Sequence, residues 1–231
     1  MALRDRRRLG PRYRVTARRR AAVRDSERAA AGATLDVYYD ASSPFAYLAL
    51  TQLPALAAMG VVPRLVPILL GALFRNIGQV DVPVLAMAPP KLRYTMREMQ
   101  RWARWWGVPF DMPKKFPQRT ITAQRLALLA GDQGYDAGHR LALALARAMW
   151  AEQRDLEDDA TLRTILDANG FSPELVLKTQ DPAIKARLAA NTSAAKDAGV
   201  FGVPTFVVGG TQLFWGQDRL ELVARALAGH A

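Results

Sequence analysis

The chain has no cysteine among its 231 residues. That excludes disulfides, thiolate metal sites and any protein-borne thiol nucleophile or redox pair. Histidine is nearly absent, with only His139 and His230. A Ser-His-Asp triad or a His-rich metal centre is hard to build from two, and no metal site is expected. No uncharged apolar run approaches about 18 residues, so no transmembrane helix is expected. Acidic residues are the scarcer charge, 21 against 32 basic ones, for a net +11.

That excess is local. Residues 1–32 hold eleven arginines against Asp5, Asp25 and Glu27, a net of +8. The rest is near neutral, so a basic face for nucleic acid is not implied. The leader has almost no aliphatic periodicity and is predicted to be disordered over 1–32. A basic arm, or an Arg/Ala helix against a partner, stays open. It lacks the apolar region of a secretory signal. A cytoplasmic protein with no membrane or nucleic-acid partner is expected. Half of all residues are hydrophobic and 23% are charged, so the bulk is globular.

After the leader, residues 34–40 alternate and are rich in β-formers, which predicts a strand. Ser43 then precedes Pro44 and an apolar run to Leu53. Ser before Pro is an N-cap followed by proline at the first helical position. A second strand is predicted over 61–68, giving a β-α-β unit with parallel strands. From about residue 69 to 191 the spacing becomes three and four, which predicts helices at 90–106, 118–133, 137–153, 159–169, 173–178 and 182–198. β-character returns at 204–208 and 212–215, joined through Gly209 and Gly210 as a hairpin. A last helix is predicted over 218–228.

This order is that of an α/β thioredoxin-like domain, 33–69 with 192–231, carrying a large all-helical insertion over 70–191. In a thiol oxidoreductase of that fold, Cys-Pro-x-Cys would occupy the turn held here by Ser43, Pro44, Phe45 and Ala46. A hydroxyl stands at the first position. An N-cap alone would explain Ser43; the start of a helix at a strand's carboxyl end is also where ligands of open α/β sheets bind. Val203-Pro204 before a strand suggests a cis peptide, whose preceding residue can pair with an extended peptide. Asp218 is expected at or near the last N-cap, either as a cap or as a partner for a ligand ammonium group.

Three stretches, Ser43-Pro44-Phe45-Ala46-Tyr47-Leu48, Gly199-Val200-Phe201-Gly202-Val203-Pro204-Thr205-Phe206 and Phe214-Trp215-Gly216-Gln217-Asp218-Arg219-Leu220, together resemble the 2-hydroxychromene-2-carboxylate isomerase family. Its relatives are the kappa-class glutathione transferases. Gln100-Arg101-Trp102-Ala103 and Gly107-Val108-Pro109-Phe110 add to the match, which covers roughly 34–227. The resemblance implies a DsbA-like fold, a homodimer, glutathione as cofactor, and reversible thiolate addition to a conjugated enone of an aromatic carboxylate. A kappa-like transferase and a non-catalytic glutathione-binding module remain alternatives.

It implies Ser43 as donor to the glutathione thiolate. Gln79, Lys91, Phe201, Gly202, Val203, Pro204, Gln217 and Asp218 are the implied glutathione contacts. Gln79 stands where relatives have an asparagine, and Ala88-Pro89-Pro90-Lys91 matches a Pro-x-Lys run loosely. Phe45, Tyr47, Arg101, Trp102 and Trp215 are candidate substrate walls and contacts, with Trp105 and Trp106 beside them. Core packing of Met99, Trp102 and Trp106 on one helical face is the competing reading for the tryptophans.

Overall fold

The computed structural model describes residues 28–230. The chain runs β1 (Leu35–Tyr39), α1 (Pro44–Leu50), α2 (Leu53–Ala57), β2 (Arg64–Pro67), α3 (Leu70–Asn76) and α4 (Pro89–Trp106). It continues through α5 (Ile121–Gly131), α6 (Tyr135–Trp150), α7 (Asp159–Ala168), α8 (Leu175–Lys178) and α9 (Pro182–Asp197). It closes with β3 (Thr205–Val208), β4 (Gln212–Trp215) and α10 (Leu220–Leu227), and short 3-10 turns precede α4 and α10. The sheet order is β2-β1-β3-β4. β1 pairs with β2 in parallel and with β3 antiparallel, so Val37 lies between Leu65 and Phe206. This is the expected α/β layer with a helical insertion.

Most elements follow the local signals. The expected helix from Pro44 to Leu53 is instead two, because Pro54 has no N–H to continue the ladder and sits in the first turn of α2. α3 has no local cap, since the Leu69 side chain has no hydrogen-bonding group to cap it. Its first amide, Leu70, is capped from 30 residues earlier by Asp40 Oδ2 at 2.8 Å. Such a distant cap leaves no mark on neighbouring residues, and the helix was not expected from sequence.

One buried cluster spans the thioredoxin layer and the insertion. Val37, Leu50 and Val66 share it with Leu126, Leu141, Leu145 and Met149. α6 and α5 pack on α1, β2 and each other. The expected boundaries at 70 and 191 therefore divide the sequence, while the core is continuous. The end of the leader also joins the fold: the Ala29 amide donates to Met59 and the Ala30 amide to Leu227, at 3.1 and 2.8 Å. The disorder expected for residues 1–27 lies outside the described residues. Among the described residues no helix is long and apolar enough to cross a membrane, and no cluster of metal-ligating groups occurs.

Candidate active site

Ser43 caps α1 with extended backbone, φ −98° and ψ 120°, and Pro44 follows at the first helical position. Its Oγ accepts the Ala46 amide at 3.2 Å and donates to the Val203 carbonyl at 3.2 Å. The Val203–Pro204 peptide is cis. Val203 is buried, and its amide has no protein acceptor among the described residues. An unpaired amide at a buried residue is costly unless a ligand or water meets it.

Three residues of the insertion hold the segment just before Ser43. Trp150 Nε1 donates to the Ala41 carbonyl at 2.8 Å. Gln124 accepts the Ala41 amide at 3.3 Å and donates to the Tyr39 and Ile68 carbonyls at 3.0 and 3.1 Å. Thr120 precedes α5 but does not cap it; its hydroxyl donates to Asp40 Oδ1 at 2.7 Å. That oxygen also accepts the Ser42 amide at 2.9 Å. Asp40 is buried, and desolvation holds its carboxyl above the ordinary range, against the lowering pull of hydrogen bonds from Leu70, Ser42 and Thr120. None of Thr120, Gln124 and Trp150 was singled out from sequence. Single polar residues on apolar helices carry no pattern that names their distant partners.

A cavity of about 880 Å³ opens on this turn. Ser43, Phe45, Gln79, Lys91, Phe201, Gly202, Val203 and Trp215 all line it, so the structure brings these eight expected residues together. Pro204 is buried and does not line the cavity. Phe201 and Trp215 form an exposed pair with ring centroids 5.1 Å apart. Gly202 permits this: a Cβ there would lie 2.7 Å from Trp215 Nε1.

The other expected residues are elsewhere. Arg101, Trp102, Gln217 and Asp218 line a second cleft of about 730 Å³, with Trp105 and Trp106. Arg101 pairs with Glu98 at 3.1 Å, and the Trp102 and Trp106 rings meet at 4.9 Å. These tryptophans are thus neither walls of the Ser43 cavity nor fully core. Tyr47 is no wall either. It is 1% exposed, and its hydroxyl donates to the Pro109 carbonyl at 2.9 Å. Asp218 lies inside the 3-10 turn that precedes α10, the N-cap of α10 is Arg219, and the Asp218 carboxylate pairs with Arg219 at 2.8 Å. The expected cap by Asp218 is therefore not made. The aromatic walls of the Ser43 cavity include Phe74, Phe116 and Trp150 instead.

Residues 34–228 match the DsbA-like thioredoxin domain family. The chain is 30% identical over 198 residues to a 2-hydroxychromene-2-carboxylate isomerase of Sphingobium xenophagum, covering 82% of this chain and 95% of that protein. It is 28% identical over 206 residues to glutathione S-transferase kappa 1 of Caenorhabditis elegans, covering 84% and 90%. A solved 2-hydroxychromene-2-carboxylate isomerase superposes with a TM-score of 0.76 at 26% identity, over 85% of this chain and 95% of that one.

Proposed function

The chain belongs to the DsbA-like thioredoxin family, with the 2-hydroxychromene-2-carboxylate isomerases and kappa-class glutathione transferases as relatives, and from that premise we propose that it is a glutathione-dependent isomerase of an aromatic enone acid. The observation that carries the reading is that one cavity wall holds both a buried Ser43 hydroxyl, bonded to the Val203 carbonyl, and a Val203 amide with no protein acceptor among the described residues. With no cysteine in the chain, this wall suits a thiol brought in from outside.

The groups present fit glutathione. The Val203 amide would meet a peptide carbonyl of its cysteinyl unit, as an added strand meets a sheet edge. Lys91 and Gln79 would hold its polar ends from the opposite wall. Bound glutathione supplies a thiolate that adds to the conjugated double bond and leaves again after rotation about the resulting single bond. Ser43 keeps that sulfur ionised by donating a hydrogen bond, and the amino end of α1 adds to the effect. Phe45, Phe201 and Trp215 cover the reacting atoms from solvent. Gln217 and Asp218, in the second cleft, would reach only the γ-glutamyl end.

The kappa-class relative supports a transferase as the second reading. The two differ in their balance: the isomerase returns every thiol, and the transferase converts each into a thioether. The test is a glutathione-dependent absorbance assay on 2-hydroxychromene-2-carboxylate with free thiol counted before and after. Turnover at constant thiol supports the isomerase. Thiol loss equal to product formed supports the transferase, and no turnover of any conjugated electrophile with glutathione rejects both.

A further inference from the structure

The Ser43 cavity carries a charge imbalance that the thiol chemistry leaves unused. Five charged residues line it: Asp40, Arg75, Asp81, Lys91 and Arg119. Arg75 and Asp81 neutralise each other at 3.0 Å. Asp40 is buried and accepts from Ser42, Leu70 and Thr120. Lys91 and Arg119 remain as cations with no ion pair to any described residue. Two uncompensated cations beside a largely apolar cavity favour anionic ligands. Glutathione accounts for Lys91 in the reading above. It leaves Arg119.

Arg119 is also held in place relative to Ser43. Its amide donates to Glu157 Oε1 at 3.0 Å, and that carboxylate is itself engaged by Lys115 at 3.2 Å. The next residue, Thr120, donates to the Asp40 oxygen that also accepts the Ser42 amide. One carboxylate oxygen thus links the residue after Arg119 to the residue before Ser43. The walls of the cavity include Met87, Met96, Met99 and Met112. Methionines adapt to differently shaped guests, so such walls select weakly by shape. Charge is then the stronger discriminator.

We infer that Arg119 is the specificity-determining residue of this cavity: it selects electrophiles bearing a carboxylate, whose apolar body lies on the methionine walls with the reacting carbon toward Ser43. The inference deepens the reading of the cavity as the seat of a thiol and its electrophile, and it rests on that reading. Arg119 follows Gln118 in a loop with no motif, so no local pattern marks it.

The test is a titration of the full chain without glutathione, read by tryptophan fluorescence, since Trp150 and Trp215 line the cavity. The probes are 4-phenylbutanoate and its neutral twin 4-phenylbutanamide. The wild type is expected to bind the acid tighter by about tenfold or more, the scale of one hydrogen bond to a charged group. Arg119→Gln brings the acid-to-amide ratio near one, Arg119→Lys restores part of it, and Lys91→Gln leaves it in place. Arg119 is exposed, so unchanged unfolding midpoints are expected and confirm that the variants fold. No acid binding in the wild type, an acid-to-amide ratio near one, a ratio that survives Arg119→Gln, or one lost equally in Lys91→Gln would each overturn the inference. Thiol turnover is judged by the separate assay above, so either idea can fail alone.

Discussion

The Ser43 hydroxyl donates to the Val203 carbonyl at 3.2 Å, joining residues 160 positions apart on either side of the helical insertion. A hydroxyl has one proton to give. In this arrangement that proton serves Val203, while the oxygen accepts the Ala46 amide. Donation to a thiolate therefore requires the hydroxyl to turn from Val203 toward the cavity. A peptide amide donating to the same carbonyl would make that turn less costly. Binding and thiol activation would then share one rotor.

Ser43→Ala is expected to fold, with a loss of about 1 kcal/mol from the missing cap. Glutathione-dependent turnover should drop about 10- to 100-fold, the effect of one hydrogen bond to a charged group. Steady-state rates at saturating glutathione check this. A wild-type rate in the variant would remove Ser43 from the chemistry and leave it as a cap.

Gly202→Ala places a Cβ at 2.7 Å from the Trp215 indole nitrogen. Trp215 is 50% exposed, so the ring can swing outward. The stability cost should then be modest, below about 1 kcal/mol, because the clash is with a mobile side chain rather than a packed core. Its pairing with Phe201 would be lost, and the cavity mouth would open. A red-shifted tryptophan emission with a nearly unchanged midpoint is expected; a large fall in the midpoint would show that the ring cannot move.

Gln124→Leu removes three hydrogen bonds at the ends of β1 and β2. Gln124 is 1% exposed, so the Ile68 carbonyl and the Ala41 amide would be left buried without partners, while the Tyr39 carbonyl keeps the Ile68 amide at 3.0 Å. The cost should be about 2–4 kcal/mol, set by orphaned groups rather than by lost volume. Urea unfolding measures it. A cost below about 0.5 kcal/mol would mean that the Asp40 turn is held without Gln124.

What could be read in advance follows from how local each cause is. The Ser43-Pro44 start of α1, the β-α-β unit, the hairpin at Gly209-Gly210 and the cis bond before Pro204 each rest on adjacent residues, and each is present. The split before Pro54 is equally local, but the apolar run from Phe45 to Leu53 reads as one helix and hides it. α3 was illegible because its cap arrives from Asp40. The same holds at the site. Ser43, Phe45, Phe201, Gly202, Val203 and Trp215 belong to short motifs and line the cavity, whereas Thr120, Gln124, Trp150 and Arg119 act at a distance. Tyr47 faces the core; an aromatic near the motif can face the cavity or the core, and only packing decides.

Asp40 gives a pH test. Burial raises its folded-state pKa above the unfolded value, which is near 3.9 for aspartate. Its stabilising contribution is thus complete below the unfolded pKa and is lost as pH rises through the folded one. Asp40→Asn cannot titrate. The stability of the wild type relative to this variant should therefore increase as pH falls from neutral toward the unfolded pKa. Urea midpoints of both proteins at neutral and mildly acidic pH decide; a gap that stays constant or narrows on acidification would mean that the three donors, not burial, govern this carboxyl.

Asp218 separates the two cavities experimentally. Its carboxylate pairs with Arg219 and does not cap α10. An exposed pair of this kind contributes about 0–1 kcal/mol, so Asp218→Asn should leave stability almost unchanged. The ligand role makes a larger claim. If the γ-glutamyl ammonium reaches the second cleft, the variant should bind glutathione about 1–3 kcal/mol more weakly. It should also lose an equal part of its discrimination against a glutathione analogue without the α-amino group. Both effects must appear together, since a general loosening of the Gly216 turn would weaken the two ligands alike. Calorimetric titration of both ligands into both proteins reads them at once. We expect the paired loss; unchanged glutathione affinity would confine the tripeptide to the Ser43 cavity and leave the tryptophan-lined cleft to another ligand.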